Sequence, residues 1–330
     1  FLPDARVGII QGTVCDIDEK DIVIGMLQTL CTKRFDDNII SQFGLSVYDE
    51  CHHLSAEVFC KCMVQIVTNY NLGLSGTMTR KDGLTKVFKY FIGPVVHKEK
   101  TDNNTQVLIK SYLFEDPEND EYNEIERDFR GNPMYSRMIT KLCNNNMRTT
   151  SIVNIIHHEL KNNYEQQIMI LAHNKSLIKE LYEKIEKFEK SIGYYLGGMK
   201  EQELKESESK KVIIATYAMA SEGLDIKTLT TLLMATPKSD VCQSVGRILR
   251  SKHNQPVVID IVDVHDIFKN QYQKRKTYYK KKNYVIHSYL NLNEYIGNIF
   301  TKQDFSENKK ISKKKGHKCL IQINTLDNAS

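Results

Sequence analysis

The sequence predicts an α/β protein in which parallel sheets are divided between two domains. Three observations carry that expectation. Short apolar or β-branched runs alternate with stretches long enough for a helix, as in βα units. Two of those runs end directly in carboxylates or hydroxyls, as strands do at the ligand-binding edge of an open sheet. Finally, 330 residues are enough for two separately buried cores.

The first four strands are expected at residues 7–10, 22–24, 45–48 and 72–75. Between the last two, residues 56–70 place Val58, Phe59, Met63, Ile66, Val67 and Tyr70 at helical spacing. Residues 91–96 contain Gly93 and Pro94 and are read as a turn and strand closing the first domain. The polar residues 102–105 read as a hinge. Residues 107–114 open the second domain as a strand. Residues 115–150 are rich in Asp, Glu, Asn and Arg and read as an insertion of short helices. A helix is expected over 152–161, a strand over 167–172 and a helix over 176–188, with Leu177, Ile178, Leu181, Ile185 and Phe188 on one side. A strand and turn follow over 194–199, then strands at 212–216, 230–235 and 257–261.

Composition narrows the class. A hydrophobic content of 41% with 26% charged residues is that of a globular chain. No apolar run reaches the length of a membrane span, so a soluble intracellular protein is expected. The eight cysteines are scattered, which argues against a secreted disulfide framework. Net charge is +5, unevenly spread. From residue 269 to 318 there are fourteen Lys and Arg against three Asp and Glu, which leaves the rest of the chain slightly acidic. Within that stretch, residues 271–284 (QYQKRKTYYKKKNY) suit phosphate contact through Lys280, Lys281 and Lys282. Tyr272, Tyr278 and Tyr279 either stack on bases or anchor the helix. A second lysine cluster spans 309–318, where a solvated tail is the plainer reading.

The segment 47–53, VYDECHH, is the most informative. Its strand runs into Asp49 and Glu50, which places two carboxylates at a strand tip. One can hold the Mg²⁺ that bridges nucleotide phosphates, and its neighbour can orient or deprotonate an attacking water. Alone, such a pair is usually solvated loop charge. The segment 243–250, QSVGRILR, strengthens it, because Arg247 and Arg250 are three apart and share a helical face. Cys51, His52, His53, Cys60 and Cys62 invite a zinc reading. Three consecutive ligands converge poorly, however, and Cys60 and Cys62 are two apart on an expected helix, so zinc is set aside.

These residues resemble the superfamily 2 helicases and translocases, nearest to the XPB and UvsW group and the helicases of large DNA viruses. Further segments are similar to that family's motifs in the expected order. Residues 21–30 (DIVIGMLQTL) resemble motif Ib, 74–80 (LSGTMTR) motif III and 168–174 (IMILAHN) motif IV. Residues 213–226 (IIATYAMASEGLDI) resemble motif V, and 256–263 (PVVIDIVD) the last strand of the second lobe. The resemblance implies two RecA-like parallel-sheet lobes, the first incomplete at its amino terminus, with a basic carboxyl-terminal extension. The implied boundaries are 1–104, 105–268 with the insertion at about 115–150, and 269–330.

It also implies roles. Asp49 is the Mg²⁺ ligand and Glu50 the water-activating group, with Arg247 and Arg250 as arginine fingers on ATP. His53, Gly223, Asp225 and Gln243 line the nucleotide. Ser75 and Thr77 couple hydrolysis to movement. Gln28, Thr29, Thr216 and Ser221 join the three lysines in contacting the strand. ATP and Mg²⁺ are the implied cofactors, and DNA is the favoured track with RNA as the alternative. A viral source is suggested. One departure stands out: no Gly-Lys-Ser or Gly-Lys-Thr occurs in the chain, so the phosphate-cradling loop is absent. Truncation before that loop is expected, with this chain alone inactive in hydrolysis. An ATPase-inactive binding remnant, or the motor subunit of a restriction, remodelling or transcript-release complex, are the alternatives.

Overall fold

The computed structural model describes residues 2–51, 56–76, 85–98, 106–221, 226–248 and 255–302. The chain divides into two compact units, Phe1–Lys100 and Thr101–Ser330.

In the first unit, β1 (Val7–Gln11) turns into β2 (Val14–Cys15) and pairs in parallel with β3 (Ile22–Gly25). Helices α1 (Leu27–Thr32) and α2 (Asp37–Ile40) lead to β4 (Leu45–Tyr48). The remaining elements are α3 (Ala56–Gln65), β5 (Tyr70–Gly73), parallel to β4, and α4 (Thr85–Ile92). One face of these strands is apolar and covered: Ile10, Tyr48, Cys51, Cys62 and Met63 form its core with Leu30 and Ile17. The alternate residues point away. Val7, Ile9, Ile24, Leu45 and Val47 are each 44–57% exposed. The buried strand expected at 45–48 is therefore covered on one side only among the described residues, because the period of two sends Val47 and Tyr48 to opposite faces. The strand expected at 91–96 is also corrected. Phe91 and Ile92 end α4, and the chain leaves it at Gly93, whose φ of 107° is open to glycine at no steric cost.

The second unit is a doubly covered sheet in the strand order β13-β12-β6-β11-β10-β7-β9-β8. The strands are β6 (Leu108–Phe114), β7 (Ile168–Ala172), β8 (Ile192–Tyr195), β9 (Val212–Thr216), β10 (Thr231–Met234), β11 (Val257–Asp263), β12 (Val285–Tyr289) and β13 (Thr301–Lys302). All are parallel except β13, which pairs antiparallel at the edge. Every residue of β7 and β10 is buried, as continuous Ile/Leu/Met runs require when helices cover both faces. Ile168 and Ile170 point to one core, Met169 and Leu171 to the other.

The first face is covered by α6 (Tyr135–Asn144), α7 (Asn146–Asn162) and α8 (Lys175–Ile185), the last through Leu177, Ile178, Leu181 and Ile185. The second is covered by α10 (Tyr217–Ser221), α11 (Cys242–Arg247) and α12 (Asp266–Lys281). The expected insertion holds α5 (Asp120–Asn123) and α6, and α7 starts six residues before the predicted helix because Asn145 caps it, accepting from Arg148 N–H at 2.8 Å. Helices α9 (Glu201–Glu208) and α13 (Leu292–Ile296) complete the unit.

Residues 269–302, read from sequence as part of an extension, continue this unit. Helix α12 lies on the sheet, and β12 pairs with β6 along its whole length. The reason is a hidden apolar period: Phe268, Tyr272, Arg275 and Tyr279 are all buried at helical spacing within an otherwise basic stretch. Tyr279 is fully buried and Tyr272 is 9% exposed, so both anchor α12 and neither stacks on bases, while Tyr278 is half-buried against the core that holds Tyr279. No helix among the described residues is long and apolar enough to cross a membrane.

Candidate nucleotide and nucleic-acid site

Asp49 and Glu50 immediately follow β4, and both are exposed. Tyr48, the last strand residue, is buried and fixes the tip, while Glu50 sits at φ 45°, a left-handed conformation that costs a non-glycine residue about 1–2 kcal/mol. Asp49 Oδ1 accepts from Glu50 N–H at 2.9 Å, which stabilises that turn. The neighbouring strand tip is tied to it by backbone bonds. Leu74 N–H donates to Tyr48 O at 2.9 Å and Cys51 N–H to Leu74 O at 3.0 Å. Ser75 and Gly76 therefore lie on the same carboxyl edge as the acid pair. A Cβ added to Gly73 would meet Cys51 Sγ at 3.3 Å and Ile92 Cδ1 at 3.0 Å, so the two tips approach as closely as a glycine permits. Two exposed carboxylates are the hard oxygen donors that a magnesium ion prefers, so the residues present fit that ion.

His53 and Thr77 lie outside the described residues. Gln28 is exposed on α1. Thr29 is a correction: it is 8% exposed, and its Oγ1 accepts from Gly12 N–H at 2.9 Å, so burial commits its hydroxyl to the β1–β2 turn.

In the second unit the described sequence candidates fall at the end of β9, on α10 and α11, and at the end of α12. Thr216 is half-buried at the end of β9, where Oγ1 accepts from Met219 N–H at 3.4 Å and caps α10. Ser221 closes that helix. Gly223 and Asp225 fall outside the described residues, as does Arg250. Gln243 and Arg247 are both on α11, which is seated by Val241, Val245 and Ile248, all at most 2% exposed. Lys280 and Lys281 end α12 and Lys282 caps it; Lys281 is exposed and the other two are half-buried.

A cluster that sequence reasoning missed surrounds the turn after β10. His173, next after β7, donates its backbone N–H to Thr236 Oγ1 at 3.1 Å. The same hydroxyl lies 2.7 Å from His173 Nδ1, so one side chain holds both the backbone and the ring of His173. Burial, followed by the charge of Lys238, pushes the His173 pKa below its ordinary 6.5. The unfolded chain therefore binds a proton more readily than the folded one. Stability is full above about pH 6.5 and falls as pH drops toward the folded value. Urea midpoints measured from pH 8 to 5 are expected to show this decline, and His173→Asn to reduce it; an unchanged acid slope in the variant would remove His173 from that role.

A second missed group is Arg275, 1% exposed, whose Nε and Nη2 each donate to Asp260 at 2.8 Å. Burial pulls its pKa down, but the charge of Asp260 and the paired hydrogen bonds outweigh that and hold it above the ordinary arginine value. Tyr279 OH donates to Asp260 as well, at 3.0 Å. The spacing of Phe268, Tyr272, Arg275 and Tyr279 was the available signal.

Comparison with known proteins accords with this layout. Residues 2–80 match the family described as type III restriction enzyme, res subunit. Across 292 residues the chain is 36% identical to L396 of Acanthamoeba polyphaga mimivirus, provisionally named an ATP-dependent RNA helicase, covering 86% of this chain and 56% of that protein. The chain belongs to the superfamily 2 helicases. QP509L of African swine fever virus, provisionally named in the same way, is 26% identical over 328 residues, with 87% of this chain and 60% of QP509L covered. Thus the chain spans a little over half the length of these curated relatives. The solved structure of S. cerevisiae Dbp5 bound to RNA and ADP BeF₃ shares the fold, with a TM-score of 0.54 at 14% identity over 89% of this chain and 72% of that one. Within this superfamily 2 chain, Asp49, Glu50 and Ser75 share one edge of the first unit. Helix α11, which carries Gln243 and Arg247, lies in the second unit.

Proposed function

We propose that this chain forms part of an ATP-dependent helicase or duplex translocase, in which ATP hydrolysis drives movement along nucleic acid in transcription, repair or recombination. The observation that supports the reading best is the acid pair Asp49 and Glu50, held on a left-handed turn at a parallel strand tip and tied by backbone bonds to the segment that resembles motif III. In this reading Asp49 holds the magnesium ion, which neutralises phosphate charge when bound. Glu50 orients the attacking water and accepts its proton as the bond from water oxygen to γ-phosphorus forms and the β–γ bridge breaks, giving ADP and phosphate. His53, Gly223, Asp225 and Gln243 contact the nucleotide. Arg247 and Arg250 stabilise charge that develops on the γ-phosphoryl oxygens, a contribution of about 10³ to 10⁵ in rate. Ser75 and Thr77 relay that event.

The track is contacted through its phosphates by Gln28, Thr216, Ser221 and Lys280 to Lys282. DNA is the expected track. The names of L396 and QP509L favour RNA as the second reading. The deciding experiment is phosphate release by the full-length gene product with single-stranded, duplex and branched DNA and RNA. Stimulation by one class identifies the track, and no stimulation by any of them overturns the motor reading in favour of a binding remnant.

The basic end of α12 is tested on this chain itself. Replacing Lys280, Lys281 and Lys282 by Gln is expected to weaken binding equally across sequences. It should also flatten the slope of log K against log salt by about 0.9 for each duplex phosphate that is no longer neutralised. Fluorescence anisotropy from about 50 to 200 mM salt reads both. An unchanged slope would take α12 off the track.

A further inference from the structure

Three consecutive carbonyls follow β10 and lead into α11, and each accepts a hydrogen bond from a side chain of a different helix. Tyr217 OH, from α10, donates to Thr236 O at 2.6 Å. Tyr135 OH, from α6, donates to Pro237 O at 2.9 Å. Arg275 Nη1, from α12, donates to Lys238 O at 2.6 Å. Past the end of a strand such carbonyls ordinarily turn to water, so three successive side-chain donors are a specific arrangement. The segment is stiffened further. Pro237 fixes its own φ, the Thr236 hydroxyl is tied to His173, and the Lys238 ammonium lies 4.7 Å from the centre of the Tyr217 ring.

Arg275 is the member that reaches furthest. Two of its nitrogens are forked onto Asp260 of β11, and the third is left for Lys238 O, so one planar group joins the sheet, the basic helix and the connector. Lysine presents a single point charge and cannot span both Asp260 and the Lys238 carbonyl in that fork. Tyr217 and Tyr279 belong to the same apolar cluster as Val241, Val245 and Ile248, which seat α11.

We infer that residues 236–238 form a clamped strut that positions the arginine helix α11, and that Arg275 is a positioning residue linking the nucleic-acid helix α12 to it. This rests on the reading above that Arg247 acts on the γ-phosphoryl group. The consequence is mechanical: a shift of α12 on its track is transmitted toward α11 through the Arg275 guanidinium, beside the apolar packing of Tyr279. Displacement of a reacting group by about 1 Å can cost on the order of 100-fold in rate, so loss of one tie is expected in kcat before it is felt in binding.

The test uses the full-length gene product and nucleic-acid-stimulated phosphate release. Arg275→Lys, which keeps a cation beside Asp260, is expected to lower kcat about tenfold while KM for ATP and the nucleic-acid Kd stay within about twofold. Tyr135→Phe, which removes only the bond to Pro237 O, should lower kcat about threefold without loss of folding, and stands in if Arg275→Lys fails to fold. In an Arg247→Ala background each substitution should have little further effect on kcat, because both act through the same group. Full additivity in that background, or unchanged kcat in folded Arg275→Lys and Tyr135→Phe, overturns the strut. If Arg247→Ala alone leaves kcat unchanged, it is the functional reading that fails instead.

Discussion

Glu50→Gln in the full-length gene product is expected to lower ATP turnover by about 10² to 10⁴, with nucleotide binding retained. The substitution keeps the size of the side chain and its ability to accept a hydrogen bond, and removes only the capacity to take a proton. Binding is therefore left to the phosphate contacts and to Asp49, while the step that needs a base is lost. The backbone supports the choice of variant. Glu50 occupies its left-handed turn through a bond from its own N–H to Asp49 Oδ1, and glutamine makes the same bond. Stopped turnover with an unchanged nucleotide Kd is the expected pair of results. Turnover within about twofold of the parent would show that water activation lies elsewhere. Asp49→Asn gives a useful contrast, since it weakens the hard oxygen ligand, and its loss should be partly offset by raising magnesium.

The parts of this architecture that could be read from sequence are those whose partners are near in the chain or whose burial is uniform. Runs such as Ile168 to Ala172 are buried on both faces, so nothing but a parallel, doubly covered strand accounts for them. The acid pair was legible because a strand and two carboxylates are adjacent in the chain. Burial of β4 was not, since Val47 and Tyr48 look alike to a hydropathy reading and only the pleat separates them. Thr29 looked free because its partner, Gly12 N–H, belongs to a turn seventeen residues away. Arg275 does not stand out from its lysine-rich surroundings in the sequence. Its role follows from topology: β11 and α12 are consecutive, and the helix folds back so that Arg275 meets Asp260.

Arg148 is a stronger case of the same kind, and its carboxylate partner should prove the costliest single side chain to remove from the second unit. Asp263 ends β11, fully buried, and receives Arg148 Nε at 2.7 Å and Nη2 at 2.9 Å, together with Tyr122 OH at 3.1 Å. Arg148 is fully buried as well, in the first turn of α7. Burial alone would pull its pKa down, but the charge and hydrogen bonds of Asp263 more than restore it, so the cation survives only in company. Asp263→Ala strands that cation, and a loss of about 3–5 kcal/mol is expected, a large part of a typical domain's stability. Urea unfolding followed by circular dichroism reads it, and tyrosine fluorescence gives a second probe in a chain without tryptophan. The double variant Arg148→Met, Asp263→Leu should recover most of the loss, because replacing both partners removes the desolvated charge along with its neutralising bond. That non-additivity is the decisive quantity. A loss below about 1 kcal/mol in Asp263→Ala, or a double variant no better than the sum of its parts, would mean that water enters this end of the sheet and that α7 is held to β11 by apolar packing alone.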